Sequence, residues 1–151
     1  MGLDSTCVLI MCLPIAVDRP DDLLAKGEHM GYEWNIMHNG SGVRCGYVKV
    51  LPGHPWFGRD DDDVSAEVHG GLTYSAADKP CDGAGADDGW WVGFDCGHAQ
   101  DLPDSSLAKT PEALRYCAMV EAHIWPGSQV RDQAYVEAEC RSLCEQAAAV
   151  A

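Results

Sequence analysis

The run YEWNIMH (32–38), the segment NGSG and the run VRCGYVKV (43–50) follow one another without interruption. Tyr32, Trp34 and Ile36 alternate with Glu33, Asn35 and Met37, the two-residue period of a half-buried strand. Two β-prone runs joined by a short Asn/Gly/Ser segment make a β-hairpin. An antiparallel pair this early in the chain commits the rest to extending a sheet and to supplying a layer that covers it.

The following segments read accordingly. LPGHPWFG (51–58) holds two prolines and two glycines and must turn, which delivers His54 and Trp56 into a loop. A strand is expected over 64–69, then a bulge or a close approach of backbone or ligand at Gly70 and Gly71, then more strand over 72–75. Residues 76–88 are rich in Ala, Asp and Gly and read as an exposed loop. The near-continuous apolar run 90–96 reads as an interior strand, and LPDSS as a turn. A helix is expected over 111–122, with Thr110 as N-cap and Pro111 at its first position. From Arg131 onward, Val136, Cys140, Leu143 and Ala147 recur at helical spacing against a wet face of Glu137, Glu139, Arg141 and Glu145. The apolar run 7–17 follows Asp4 rather than a basic residue, has no cleavage site after it, and reads as a buried strand. Strands first and helices last give an α+β fold. We expect a mostly antiparallel sheet of about five to six strands packed on the C-terminal helix, with one further helix before it and all 151 residues in a single globular domain.

Charge and cysteine usage narrow the function classes. Asp and Glu number 24 against 10 Lys and Arg, a formal charge of −14 that repels phosphate backbones and argues against a nucleic-acid partner. Some of the acids sit in separated clusters, Asp21 and Asp22, Asp60 to Asp63, and Asp87 and Asp88; the run Asp60 to Asp63 lacks the alternating spacing of a calcium loop and reads as a solvated turn. No stretch approaches the roughly 20 apolar residues of a membrane span. The eight cysteines are scattered without the framework of a small secreted domain, so reduced thiols and a cytoplasmic location are expected.

The stretch GWWVGFDCGHAQDLPD (89–104) concentrates reactive side chains. If its strand persists to His98, Cys96 and His98 share one face and Asp95 takes the other. Two readings follow. With His54, His69 or Cys45 converging from elsewhere, Cys96 and His98 make a metal set, with zinc the ion for such donors, although no repeated CxxC or HExxH demands a cofactor. Alternatively Cys96 is a nucleophile, His69 or His98 lowers its pKa and Asp101 orients the imidazole. Against both stands the ordinary role of a lone cysteine, a small buried hydrophobe. The segment VHGGLTYS (68–75) offers amides at Gly70 and Gly71 for an anionic group, beside polar contacts from His69, Thr73 and Tyr74. Adjacent tryptophans on a strand face opposite ways, so only one can enter a one-sided core. The other must cover a helix, a second subunit or a flat ligand, and Trp91 is the candidate for the ligand, set against the plain reading that these tryptophans fill the core. Arg44 on the hairpin is a carboxylate or phosphate contact, or else a surface ion pair.

The series CGYVKVLPGHPWFG, DVSAEVHGGLTYS, WWVGFDCGHAQDLPD and the helix around YVEAECRSL resembles a family of small uncharacterised bacteriophage and prophage accessory proteins. The resemblance spans Cys45 to Leu143 in order and leaves residues 1–30 outside. It implies no catalytic residue. It does imply a context, the host bacterial cytoplasm, where such products interfere with host machinery or immune signalling. The reading that follows is a non-enzymatic, oligomeric binding protein that sequesters a small nucleotide-derived host immune signal. Its ligand contacts would come from Arg44, His54, His69, Gly70, Gly71, Thr73, Tyr74, Trp91, Cys96 and His98. One rival is a small metal-dependent or Cys/His hydrolase built from His54, His69, Cys96, His98 and Asp101. Another is an acidic decoy that inhibits a host protein through its surface.

Overall fold

The computed structural model describes residues 23–38, 40–77 and 89–151. The apolar run 7–17 and residues 78–88 of the expected loop lie outside the described residues. Five strands form one antiparallel sheet: β1 (Leu23–His29), β2 (Tyr32–His38), β3 (Arg44–Val50), β4 (Tyr74–Ala77) and β5 (Trp90–Asp95), in the order β1-β2-β3-β5-β4. A second, two-stranded parallel sheet joins β6 (Asp101–Leu102) to β7 (Gln129–Val130). Among the described residues the α-helices are α1 (Pro111–Glu121) and α2 (Gln133–Val150). The α+β architecture with a C-terminal helix on an antiparallel sheet is the one expected from the patterning.

The expected hairpin is β2–β3, with Trp34 opposite Val48 and Met37 opposite Cys45. Its first strand is more than half buried. Trp34 to His38 are all enclosed, because both sheet faces carry apolar clusters. On one face Trp34, Ile36, Val48, Val92 and Phe94 meet Val136, Cys140, Leu143, Cys144 and Ala147 of α2. Those five helix positions recur every three or four residues and form a single stripe. Fully burying Val136 and Leu143 is worth roughly 1.5–3 kcal/mol each. The helix sits close because Gly46 has no side chain: a Cβ there would lie 2.7 Å from the Cys140 sulfur. On the other face Met37, Val43, Cys45, Tyr47 and Trp91 make a second cluster.

Three local expectations are corrected. β1 was not foreseen, because LLAKGEH lacks clean alternation. It pairs with β2 through a two-residue turn in which Met30 and Gly31 both have positive φ, 55° and 84°. Such a turn matches the twist of a hairpin. Residues 64–69 are not a strand. Their amides go to helix side chains instead: Glu67 N–H donates to Gln146 Oε1 (2.8 Å) and His69 N–H to Glu139 Oε1 (2.7 Å), while Gln146 Nε2 donates back to the Glu67 carbonyl (2.8 Å). Strand resumes only at Tyr74, and it runs through Ala76 and Ala77, which had been read as loop.

Candidate functional site

β5 ends at Asp95. The Cys96 amide makes one more rung to the Arg44 carbonyl (3.0 Å), and the chain then turns. Two carboxylates shape that turn. Asp95 Oδ1 accepts from the Gly97 amide two residues on (2.9 Å), the usual hydrogen bond of an Asp at a turn. Asp101 Oδ2 accepts from the His98 amide (2.9 Å), and the Asp101 amide donates to the His98 carbonyl (2.9 Å). The sequence DCGHAQD is therefore a closed loop that holds His98 over Asp101, with His98 Nδ1 3.2 Å from Asp101 Oδ2.

The rest of the site arrives from the C-terminal part of the chain. The Gln129 amide donates to the Gln100 carbonyl (3.1 Å), and the β6–β7 pairing sets Arg131 beside Asp101, where Nε donates to Oδ1 at 2.7 Å. Asp132 then caps α2 by accepting from the Tyr135 amide (2.9 Å). Tyr135 and Glu139, one helical turn apart, face the same way and grip His69. Glu139 takes the His69 amide, and the Tyr135 hydroxyl lies 2.8 Å from His69 Nδ1. His69 Nε2 reaches Asp101, 2.8 Å from Oδ2 and 3.0 Å from Oδ1. An ionised carboxylate only accepts, so Nε2 carries the proton, and in the neutral ring Nδ1 accepts from the tyrosine hydroxyl.

Asp101 is the hub, with its side chain only 1% exposed. Burial by itself would raise its carboxyl. Hydrogen bonds from Arg131, from His69 and from the His98 amide outweigh that and hold it at about 2. Arg131 occupies Oδ1, and Oδ2 is turned to the two histidines. One ring nitrogen from His69, one from His98 and a carboxylate oxygen of Asp101 all lie within 4.8 Å of one another, a group that could hold a metal ion. Each imidazole also has an outer neighbour: Tyr135 behind His69, and Asp95 Oδ1 3.9 Å from His98 Nε2, with Asp95 itself held by the Thr73 hydroxyl (3.0 Å).

The cluster opens to solvent on the His98 side, where that side chain is 39% exposed. A cleft of about 420 Å³ runs from His98 and Gly97 toward Tyr116, Met119 and Trp125. A second, of about 370 Å³, lies over His69, Gly70 and Arg131. A larger hollow of about 620 Å³ elsewhere, beside Tyr32 and His54, gathers no comparable set of donors.

Among the residues expected to act together, the structure assembles His69, Gly70, Thr73, His98 and Asp101. Gly70 has φ of 69°, and any side chain there would collide with the His98 ring, so the close approach at this glycine is made by an imidazole. The proposed amide cradle fails at Gly71, whose N–H is spent on the Val68 carbonyl (2.9 Å).

Five residues fall elsewhere. Cys96 does not share a face with His98, since the strand ends before either. It is buried in the apolar cluster under α2, where desolvation, reinforced by the Asp101 charge, pushes its thiol far above the ordinary range. Such a thiol is a poor nucleophile, and although Cys96 borders the cleft beside His98, the donor group gathered there is His69, His98 and Asp101 without it. His54 accepts from the Trp56 amide at Nδ1 (3.0 Å) and meets the Ala147 carbonyl at Nε2 (2.9 Å), so neither nitrogen is open. Trp91 is 1% exposed inside the second cluster, and Tyr74 packs edge-on against Tyr47 at its border. Neither can stack on a ligand at the site. Arg44 is neither a ligand contact nor a surface pair. Its largely buried guanidinium bridges Asp104 Oδ2 (3.0 Å) and the Arg131 carbonyl (3.1 Å), tying the hairpin to the segment that carries the site.

Arg131, Tyr135, Glu139 and Trp125 were missed. In the sequence they read as ordinary members of a helix and the loop before it, and only their distance from His69 and Asp101 in space gives them a role. Among the described residues no helix is long and apolar enough to cross a membrane. Compared with protein-family models, with curated proteins and with solved structures, the chain matches none.

Proposed function

We propose that the protein is a small-ligand-binding accessory protein whose site is a zinc centre formed by His69, His98 and Asp101. The observation that carries this reading is the convergence of those three donors within 4.8 Å at the mouth of an open cleft. Two imidazoles and one carboxylate are donors zinc accepts. Three protein ligands, rather than the four of a structural site, leave a position for something from solution. The outer neighbours Tyr135 and Asp95 stand where ligand histidines usually find the partners that fix their ring orientation. In a bacterial host the protein would hold a signalling molecule away from its receptor, the role suggested by the resemblance to phage accessory proteins. A metal-dependent hydrolase is the second reading, favoured by the same open position. The thiol-dependent hydrolase is not, given the burial of Cys96.

Elemental analysis of protein purified without chelator tests the centre. One zinc per chain is expected, lost in His69→Ala and in His98→Ala, and metal-free native protein that takes up no added zinc would sink the reading. Mass spectrometry of small molecules after incubation with extracts containing active bacterial signalling enzymes separates the two functions. A compound released unchanged supports capture, and a converted one supports hydrolysis.

A further inference from the structure

The two faces of the main sheet are closed by different means. α2 lies over the first, where Val136, Cys140, Leu143, Cys144 and Ala147 complete the apolar cluster. The second face is buried just as thoroughly: Met37, Tyr47 and Trp91 are 1% exposed or less, as is Asn35, which stands opposite Tyr47 and so on the same side. Yet every described hydrophobic side chain in that cluster or packed on it, Leu23 and Tyr74 included, belongs to the sheet itself or is Val43 at the head of β3. Side chains on one face stand perpendicular to the sheet and shield each other's flanks but not their tips, which takes a second layer about 10 Å away. Two polar atoms call for the same layer. Trp91 Nε1, a donor only, and Asn35 Oδ1, an acceptor, are buried with no hydrogen-bond partner among the described residues.

We propose that this layer is the chain's own N-terminal run CVLIMCLPIAV (7–17), laid across the second face from β1 to β5. The run carries no charge, whereas residues 78–88, DKPCDGAGADD, hold four aspartates and no large apolar side chain with which to wall such a cluster. Its tether places it there. Only residues 18–22 separate the run from Leu23, which pairs with Met37 and packs against the second cluster, so the chain enters the sheet at the margin of the face that has to be closed. Three strand spacings, about 15 Å, lie between β1 and β5, and a run of this length measures about 16 Å even as a helix. So short a tether also holds the run at an effective concentration of about millimolar, which favours it over a second copy of the chain. Its main chain has both the carbonyl that Trp91 lacks and the N–H that Asn35 lacks. Cys45 lies opposite Asp95, the outer neighbour of His98, so the covered face ends against the candidate site and the run braces the strand end that carries it.

Photo-crosslinking of the full chain tests this with photo-methionine, a near-isosteric analogue, in place of methionine. Met37 reports from the second face and Met11 from the run. On irradiation of a mixture of isotopically light and heavy protein, Met37 should join to residues 7–17, or Met11 to residues 44–50 or 90–95, in products that are wholly light or wholly heavy. Mixed light–heavy products would assign the cover to a second copy, and products from Met37 to residues 78–88 or to α1 without any from the run would assign it to another part of the chain; either overturns the proposal. Hydrogen exchange on the unlabelled native protein decides independently of crosslinking yield. The amides of the run should exchange at least about a hundredfold more slowly than in a free peptide of the same sequence, and exchange at the peptide's rate overturns the proposal.

Discussion

His54 and His69 both lean on α2, and both have each ring nitrogen engaged, yet only His69 belongs to the proposed metal site. His54 is closed by main-chain groups, the Trp56 amide and the Ala147 carbonyl. His69 is closed by side chains, the Tyr135 hydroxyl and the Asp101 carboxylate. Their helix partners are twelve residues apart, about 18 Å along the axis at the usual rise. A main-chain partner cannot turn away without unfolding, so His54 acts as a rivet between a loop and the end of the helix. Side-chain partners can re-pair, so the His69 bonds can be exchanged for a metal or a ligand at little cost to the fold. Saturation of an imidazole's hydrogen bonds therefore does not by itself mark it as structural; the kind of partner does.

The comparison breaks most visibly at Asp101. Asp101→Asn keeps the shape but strips charge from a carboxylate that serves Arg131 and two histidines. About 3 kcal/mol of stability should disappear in urea denaturation, the scale of breaking an enclosed ion pair, together with all zinc binding. Wild-type zinc affinity in this variant would show that the cluster is not the centre.

The next effect is on acid stability. Asp101 is held at about 2 against an ordinary 3.8, so its contribution is complete above about pH 4 and fades as pH falls toward 2. In metal-free protein that contribution is about 2 kcal/mol by linkage. Denaturation midpoints of the parent should drop through this window, and those of Asp101→Asn should drop less. Parallel curves would refute the assignment.

His54→Ala sharpens the contrast from the other side. Loss of about 1.5 kcal/mol is expected from an orphaned helix carbonyl and a lost contact, with zinc binding unchanged. A fall in zinc affinity would put the two histidines in one class after all.

Tyr135→Phe carries the smallest effect on the fold. The ring and its contact with Arg131 remain, so thermal stability of the metal-free protein should move by less than about 0.5 kcal/mol. Zinc affinity should fall by about tenfold, the usual result of removing the outer partner of a ligand histidine. Unchanged affinity would make the Tyr135 hydroxyl a bystander.

Much of the frame was legible in the residues. Alternation at Tyr32, Trp34 and Ile36 with NGSG after it announced the hairpin, and Thr110–Pro111 and the stripe Val136, Cys140, Leu143 and Ala147 announced the helices, because strand and helix periods are written locally. β1 was hidden because its stability comes from pairing with β2 rather than from its own pattern. The strand expected over 64–69 was misread for the opposite reason: it has the pattern of a strand, but α2 takes its amides first.

For the site, the sequence alone determined the ingredients and one piece of geometry. DCGHAQD carries its own turn, since Asp95 and Asp101 bond to amides two and three residues away, and His98 is presented over Asp101 by that local closure. Only the tertiary structure decided which other groups join. Cys96, two residues from His98, went into the core. His69, 32 positions from Asp101, came to within 2.8 Å of it, and Arg131 and Tyr135 were brought in by a pair of two-residue strands and a helix cap. The physical reason is range: hydrogen bonds between near neighbours can be read from spacing, but which side chains end up facing one another across the chain depends on how the sheet and the helix share their buried surface.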